Sequence, residues 1–237
     1  MLRRKEQIPA SGYLLKEEKD GWSITLPETS EEEYQRLRSN KEKRPVLELV
    51  DDATYNFSGK LQEMEQQLRT GVPEKIVRKE KSGGFSFSAS NMTGDTQWRL
   101  PAACPRAIAE IIAKAIVNES KFKSMWKRSP SIDVRISHKE HAEAMLKDAG
   151  QFHTDGLGPQ GALYIVCASP TTQTIEGQIM DPKYDRLPKE LAYAEHPISS
   201  LLPWRLYRCD EREWTHATPD NFLEGNEGGR FFLRIKC

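Results

Sequence analysis

The chain has 237 residues with 35 Lys plus Arg against 35 Asp plus Glu, so no net field draws it toward nucleic acid, membrane or a polyanionic substrate. Its four cysteines, Cys104, Cys167, Cys209 and Cys237, show no CxxC spacing, which implies free thiols in a reducing cytoplasm. The opening MLRRKEQIPASGYLL is too polar for a signal peptide, and no apolar run reaches the length needed to cross a bilayer.

The length fits one domain over residues 1–237, with helical and strand cover segments over 1–130 and a β core over 131–237. In the cover, Ser30 followed by Glu33 predicts a capped short helix over EEEYQRLRSN. VLELV at 46–50 predicts a buried strand, and Ser58 caps a helix that Gly71 ends. Residues 83–97, GGFSFSASNMTGDTQ, alternate Phe with Ser before turn residues take over, which predicts an edge strand and a mobile loop. The clearest helix is PRAIAEIIAKAIVNESKFKSMW, where Ile108, Ile111, Ile112, Ala115 and Ile116 form a core stripe continued by Phe122, Met125 and Trp126.

After Pro130 the texture changes to short strand-like runs: SIDVRIS, QFHTD, ALYIVCA, TQTIEGQI, ISSLLPWRLYRC, REWTHA and RFFLRI. KEHAEAMLKDAG interrupts them as a short helix ended by Gly150. Many short strands between Gly, Pro, Asp and Asn clusters predict a sandwich or barrel carrying flanking helices, a mainly β class. The stretch 176–197, EGQIMDPKYDRLPKELAYAEHP, breaks the series with three prolines and reads as a lid or a surface insertion.

In a strand, residues i and i+2 share a face, so His153 and Asp155 project together, half of a metal site. Trp214, His216 and Thr218 share a face of another predicted strand, which offers His216 as a further ligand. Two histidines and a carboxylate suit Fe(II), leaving coordination positions open for a cosubstrate and dioxygen; zinc or nickel fits the same ligands. In the last strand, GGRFFLRIKC, alternation separates Phe231, Leu233 and Ile235 from Arg230, Phe232 and Arg234. Two guanidinium groups on an interior face call for an anionic partner, and a dicarboxylate would supply it.

HTD at 153–155, His216 in HATP and Arg230 in GGR together resemble the iron(II)/2-oxoglutarate-dependent oxygenases, over roughly residues 131–237. The resemblance implies a double-stranded β-helix, the cupin-like jelly roll, with Fe(II) held by His153, Asp155 and His216. It implies Arg230 on the distal carboxylate of 2-oxoglutarate, and hydroxylation coupled to release of succinate and CO₂. Many relatives carry Ser or Thr two residues after that arginine, whereas this chain has Phe232. A hydroxyl anchor then has to come from elsewhere, with Tyr164 and Thr172 as candidates, and Arg234 on the same face either shares the arginine's role or touches substrate. The expected partners are dioxygen and a small or amino-acid-like substrate, not nucleic acid.

Taken singly, each residue also has a plain structural reading: a hydrogen-bonded His–Asp pair, a partly buried histidine, a cross-strand ion-pair ladder. Their joint order, spacing and strand phase distinguish the set. His138 and His141 in ISHKEH read as a solvated helix start, and His196 before Pro197 as a loop residue. Two other classes stay open: a jelly-roll binding protein without catalysis, and a metal-dependent hydrolase or isomerase indifferent to 2-oxoglutarate.

Overall fold

Strands dominate the computed structural model, which describes residues 12–27, 45–50, 78–79, 84–93, 96–120 except 103, 131–137, 151–154, 162–167, 171–176, 186–210, 213–219 and 230–236, with helical positions at 32, 35 and 36. In chain order the first elements are strands β1 (Leu14–Glu18), β2 (Gly21–Thr25), β3 (Leu47–Leu49), β4 (Arg78–Lys79), β5 (Gly84–Ser88), β6 (Ser90–Thr93) and β7 (Gln97–Pro101) and helix α1 (Arg106–Ser120). There follow β8 (Ser131–Ser137), β9 (Gln151–His153), β10 (Ala162–Cys167), β11 (Gln173–Ile175), β12 (Arg186–Pro188), helix α2 (Lys189–Glu195), β13 (Ile198–Ser200), β14 (Tyr207–Asp210), β15 (His216–Ala217) and β16 (Arg230–Lys236). The helices expected after Ser58 and over KEHAEAMLKDAG lie outside the described residues.

The chain divides into two compact units, residues 1–43 with 88–130 and residues 44–87 with 131–237. The first holds an antiparallel sheet in the order β1-β2-β7-β6, so part of the stretch read as a loop within 83–97 is instead paired strand. Of the predicted apolar stripe of α1, Ile108, Ile111, Ile112, Ala115 and Ile116 are all buried, while its continuation at Phe122, Met125 and Trp126 lies outside the described residues. The helix starts where the Pro105 carbonyl accepts the Ala109 N–H at 3.0 Å. Beside that start, the Trp22 indole donates to the Cys104 carbonyl at 2.8 Å, and burial pushes the Cys104 thiol up, keeping it protonated. Cys104, Cys167 and Cys209 are buried thiols outside any disulfide.

The second unit contains a seven-stranded sheet, β3-β14-β10-β16-β8-β5-β4, and a five-stranded sheet, β12-β9-β15-β11-β13. From β8 onward the chain passes back and forth between them. Leu163, Ile165 and Cys167 of β10 and Tyr207 and Cys209 of β14 form one buried cluster with Leu201, which follows β13, and Trp214, which precedes β15. Residues of the two sheets therefore share this apolar layer, each large side chain in it contributing about 1.5–3 kcal/mol by burial. On the opposite face of the five-stranded sheet, Phe152, Ile175 and Ala217 pack with Ala192 of α2.

One expectation needs correction. The run ISSLLPWRLYRC is not one strand: β13 lies in the five-stranded sheet and β14 in the seven-stranded one, so the chain must turn between them. Pro203 lacks a ladder donor, and Trp204 takes a φ of 59° while its N–H donates to the Cys167 carbonyl at 2.9 Å. Residues 186–197, within the stretch read as a lid or a surface insertion, pack on the five-stranded sheet. Leu187 and Ala192 reach the Phe152 cluster, Tyr193 sits edge-on to Phe152, and the Tyr193 hydroxyl donates to Gln173 at 3.1 Å.

Gly21 opens β2 with a φ of 141°, and a Cβ there would run into the Leu100 carbonyl oxygen, whereas at Gly12 the nearest atom would be 3.4 Å away. Gly21→Ala is therefore expected to cost about 2–3 kcal/mol and Gly12→Ala about 1 kcal/mol, measured as shifts in urea unfolding.

Candidate metal centre

A ligand pair for one metal ion needs two donor atoms roughly 3 Å apart, the separation set by metal–nitrogen bonds of about 2.1 Å. Adjacent antiparallel strands meet that demand when the two residues are direct cross-strand partners, since their side chains then leave the same face side by side. His153 in β9 and His216 in β15 are such partners. Their rings are tilted by 49° with centroids 4.6 Å apart.

The face they occupy follows from the registers. His216 is also opposite Thr174 of β11, so His153, His216 and Thr174 share one side of the five-stranded sheet. Phe152, Ile175 and Ala217 take the other side, against α2. Trp214, two residues before His216, belongs to the apolar layer shared with the seven-stranded sheet, so the histidine pair looks toward that layer.

Both rings are oriented by their own strands. His153 Nδ1 lies 3.4 Å from the Gln151 carbonyl oxygen, and His216 Nδ1 lies 3.4 Å from that of Trp214. A carbonyl can only accept, so wherever this contact is a hydrogen bond the ring carries a proton on Nδ1 and Nε2 is the nitrogen left for a metal. That tautomer is the one a metal-binding histidine uses when a carbonyl steers its other nitrogen. His216 is additionally stacked on the Trp214 indole, with centroids 4.0 Å apart and planes 11° from parallel.

The remaining predicted site residues are distributed as follows. Asp155 lies outside the described residues, as do His138 and His141, and among the described residues no third His, Cys, Asp or Glu completes a metal-binding group with the pair. Arg234 in β16 is opposite Ile165, and Phe232 is opposite Cys167, so both share the β10 face that carries the apolar layer. Arg230 begins β16 opposite Ser137, and its side chain is not among those described. Tyr164 is not brought to this face: it pairs with Arg208 and Ile235, on the side of β10 away from Ile165, because strand alternation reverses at every residue. Thr172 is buried just before β11, where its carbonyl accepts the Leu201 N–H at 3.0 Å. His196 sits at the C-terminal cap of α2, its Nε2 4.0 Å from Glu195.

Sequence reasoning placed Trp214 on the face of His216 but missed Thr174, which accepts a hydrogen bond from the Trp214 indole at 2.9 Å. No local signal marks Thr174, because its partner lies 40 residues away in the chain. Alternation within TQTIEGQI fixes which residues share its face, but not which strand lies beside it.

No protein-family model matches this chain, and no curated protein shows significant similarity to it. No helix among the described residues is long and apolar enough to cross a membrane.

Each of His153→Ala and His216→Ala is expected to weaken divalent-metal binding at least tenfold, since each removes one donor of the pair. Titration calorimetry with Co(II) reads the loss, and far-UV circular dichroism should stay near that of the parent.

Proposed function

We propose that this chain is an Fe(II)/2-oxoglutarate-dependent oxygenase that hydroxylates a small or amino-acid-like molecule with release of succinate and CO₂. The observation that carries the reading is the direct cross-strand pairing of His153 with His216, two histidines that sequence spacing alone leaves 63 residues apart. Their matching Nδ1–carbonyl contacts and the 4.6 Å between their rings fit a single metal ion.

Strand order supports a double-stranded β-helix as the scaffold. When β8, β9, β10, β11, β13, β14, β15 and β16 are counted one to eight, the larger sheet runs 6-3-8-1 and the smaller 2-7-4-5. Such interleaving of eight antiparallel strands in two sheets is the pattern of a jelly roll. It sets the strand bearing His153 beside the strand bearing His216, and the arginine strand in the facing sheet.

In this reading His153, Asp155 and His216 hold Fe(II), which when bound supplies the redox chemistry that couples decarboxylation of the cosubstrate to C–H oxidation. Arg230 binds the distal carboxylate of 2-oxoglutarate as a bidentate donor, and Arg234 adds positive charge on the same strand. Leu163, Ile165, Trp214 and Phe232 belong to the apolar layer toward which the histidine pair looks, and apolar surface beside a charged centre excludes water and strengthens each charged contact. With Tyr164 on the opposite face of β10, Thr172 is the remaining hydroxyl named as a cosubstrate anchor.

The test is anaerobic addition of Fe(II) and 2-oxoglutarate, watching for the weak visible charge-transfer band of their chelate. The parent should show it and His216→Ala should not. Arg230→Ala should keep the metal but bind 2-oxoglutarate about 10–100-fold more weakly, the cost of a lost charged hydrogen-bonded pair, and Arg234→Ala should lose less. Metal binding without any band would point instead to a hydrolase or isomerase, and no metal binding to a non-catalytic binding protein.

A further inference from the structure

A metal ligand must hold its lone pair in one direction, and an imidazole on a strand has two soft torsions that can spoil it. At His216 both are restrained by one neighbour. The Trp214 carbonyl lies 3.4 Å from Nδ1, and the Trp214 indole lies against the imidazole face with centroids 4.0 Å apart and planes 11° from parallel. The first contact sets the edge of the ring, and the second sets its plane.

Trp214 is itself held on every side that the geometry allows. Only 1% of its surface is exposed, and it packs in the layer formed with Leu163, Ile165 and Tyr207. Its backbone N–H donates to the Asp210 carbonyl at the end of β14, at 2.9 Å. Its indole Nε1 donates to Thr174 Oγ1 at 2.9 Å, and that hydroxyl donates in turn to the Thr215 carbonyl at 3.3 Å. Because Thr174 is also the cross-strand partner of His216, the histidine and the anchor of the indole face each other on adjacent strands, with the indole two residues before the histidine.

We infer that Trp214, anchored by Thr174, is a positioning residue that holds the His216 imidazole in its metal-binding orientation. This rests on the reading of His153 and His216 as metal ligands. A tryptophan that only filled core volume would still need an acceptor for its buried indole N–H, but would have no need to lie parallel to the imidazole. Rigidity of the layer between the sheets thereby reaches the ligand through a flat contact that a branched aliphatic side chain cannot reproduce.

The experiment uses the full chain with Co(II) as the probe, reading affinity by calorimetry and ligand geometry by the visible d–d spectrum, with folding checked by far-UV circular dichroism. Trp214→Phe, which keeps a flat ring but loses the indole donor to Thr174, should keep a near-parental spectrum and weaken binding no more than about threefold. Trp214→Leu should bind about tenfold more weakly with an altered d–d band, the low end of what outer partners of ligating histidines contribute. Thr174→Val, which keeps the indole but drops its anchor, should weaken binding about threefold, as loss of one buried hydrogen bond does. If the parent and His216→Ala bind Co(II) alike, the metal site itself is gone and the inference falls with it. If His216→Ala loses the metal while Trp214→Leu matches the parent in affinity and spectrum, the site stands and only the role of Trp214 is overturned. Should Trp214→Leu fail to fold, Thr174→Val decides, and parental affinity and spectrum there overturn the inference.

Discussion

The geometry of the candidate centre depends on one short backbone pairing. Between β9 and β15 the register is the single pair His153 and His216, and β15 is two residues long. So brief a ladder cannot hold its own position, because two residues supply too few hydrogen bonds to offset the entropy of fixing them. Its position comes from what surrounds it. The Ile175 N–H donates to the Thr215 carbonyl at 3.2 Å on one side, and buried Lys189 donates to the Thr218 carbonyl at 2.6 Å just past the strand. Before the strand, Trp214 is pinned in the apolar layer.

This arrangement couples the site to both faces of the five-stranded sheet. On the inner face, Trp214 connects His216 to β10 and β14 through the layer that fills the space between the sheets. On the outer face, Phe152 and Ala217, the neighbours of the two histidines in sequence, pack under α2. A residue change that loosens α2 would therefore reach the histidines through β9 and β15 without touching either ring. The segment carrying β12 and α2 is thus part of the support of the site, even though its proline-rich, polar composition resembles that of a surface loop.

Charge follows the same division between what is buried and what is exposed. The balanced composition leaves no overall field, yet buried ionic groups occur at chosen places: Arg208 and Lys189 are both nearly fully buried and donate to backbone carbonyls of Pro45 and Thr218. Each joins segments distant in sequence, 163 and 29 residues apart. Burying a cation is costly unless donors and acceptors are matched, so such residues serve best where they fix one arrangement of the chain.

The sequence by itself determined what local periodicity can encode. The apolar stripe of α1, the strand phase of β16, the mainly β texture after Pro130 and the pairing of Trp214 with His216 on one face were all legible there, because helix and strand periods depend only on near neighbours. Tertiary structure alone decided which strands lie side by side. Nothing within QFHTD or REWTHA specifies that β9 and β15 are neighbours, and that adjacency is what brings His153 to His216. The same holds for Tyr164, a candidate by residue type that the register turns to the far face of β10, and for Thr174, whose role is set by a strand 40 residues distant. The break of ISSLLPWRLYRC at Trp204 is a further case: its apolar pattern suits a strand throughout, but its two halves belong to different sheets, and the chain can cross between sheets only by leaving extended structure.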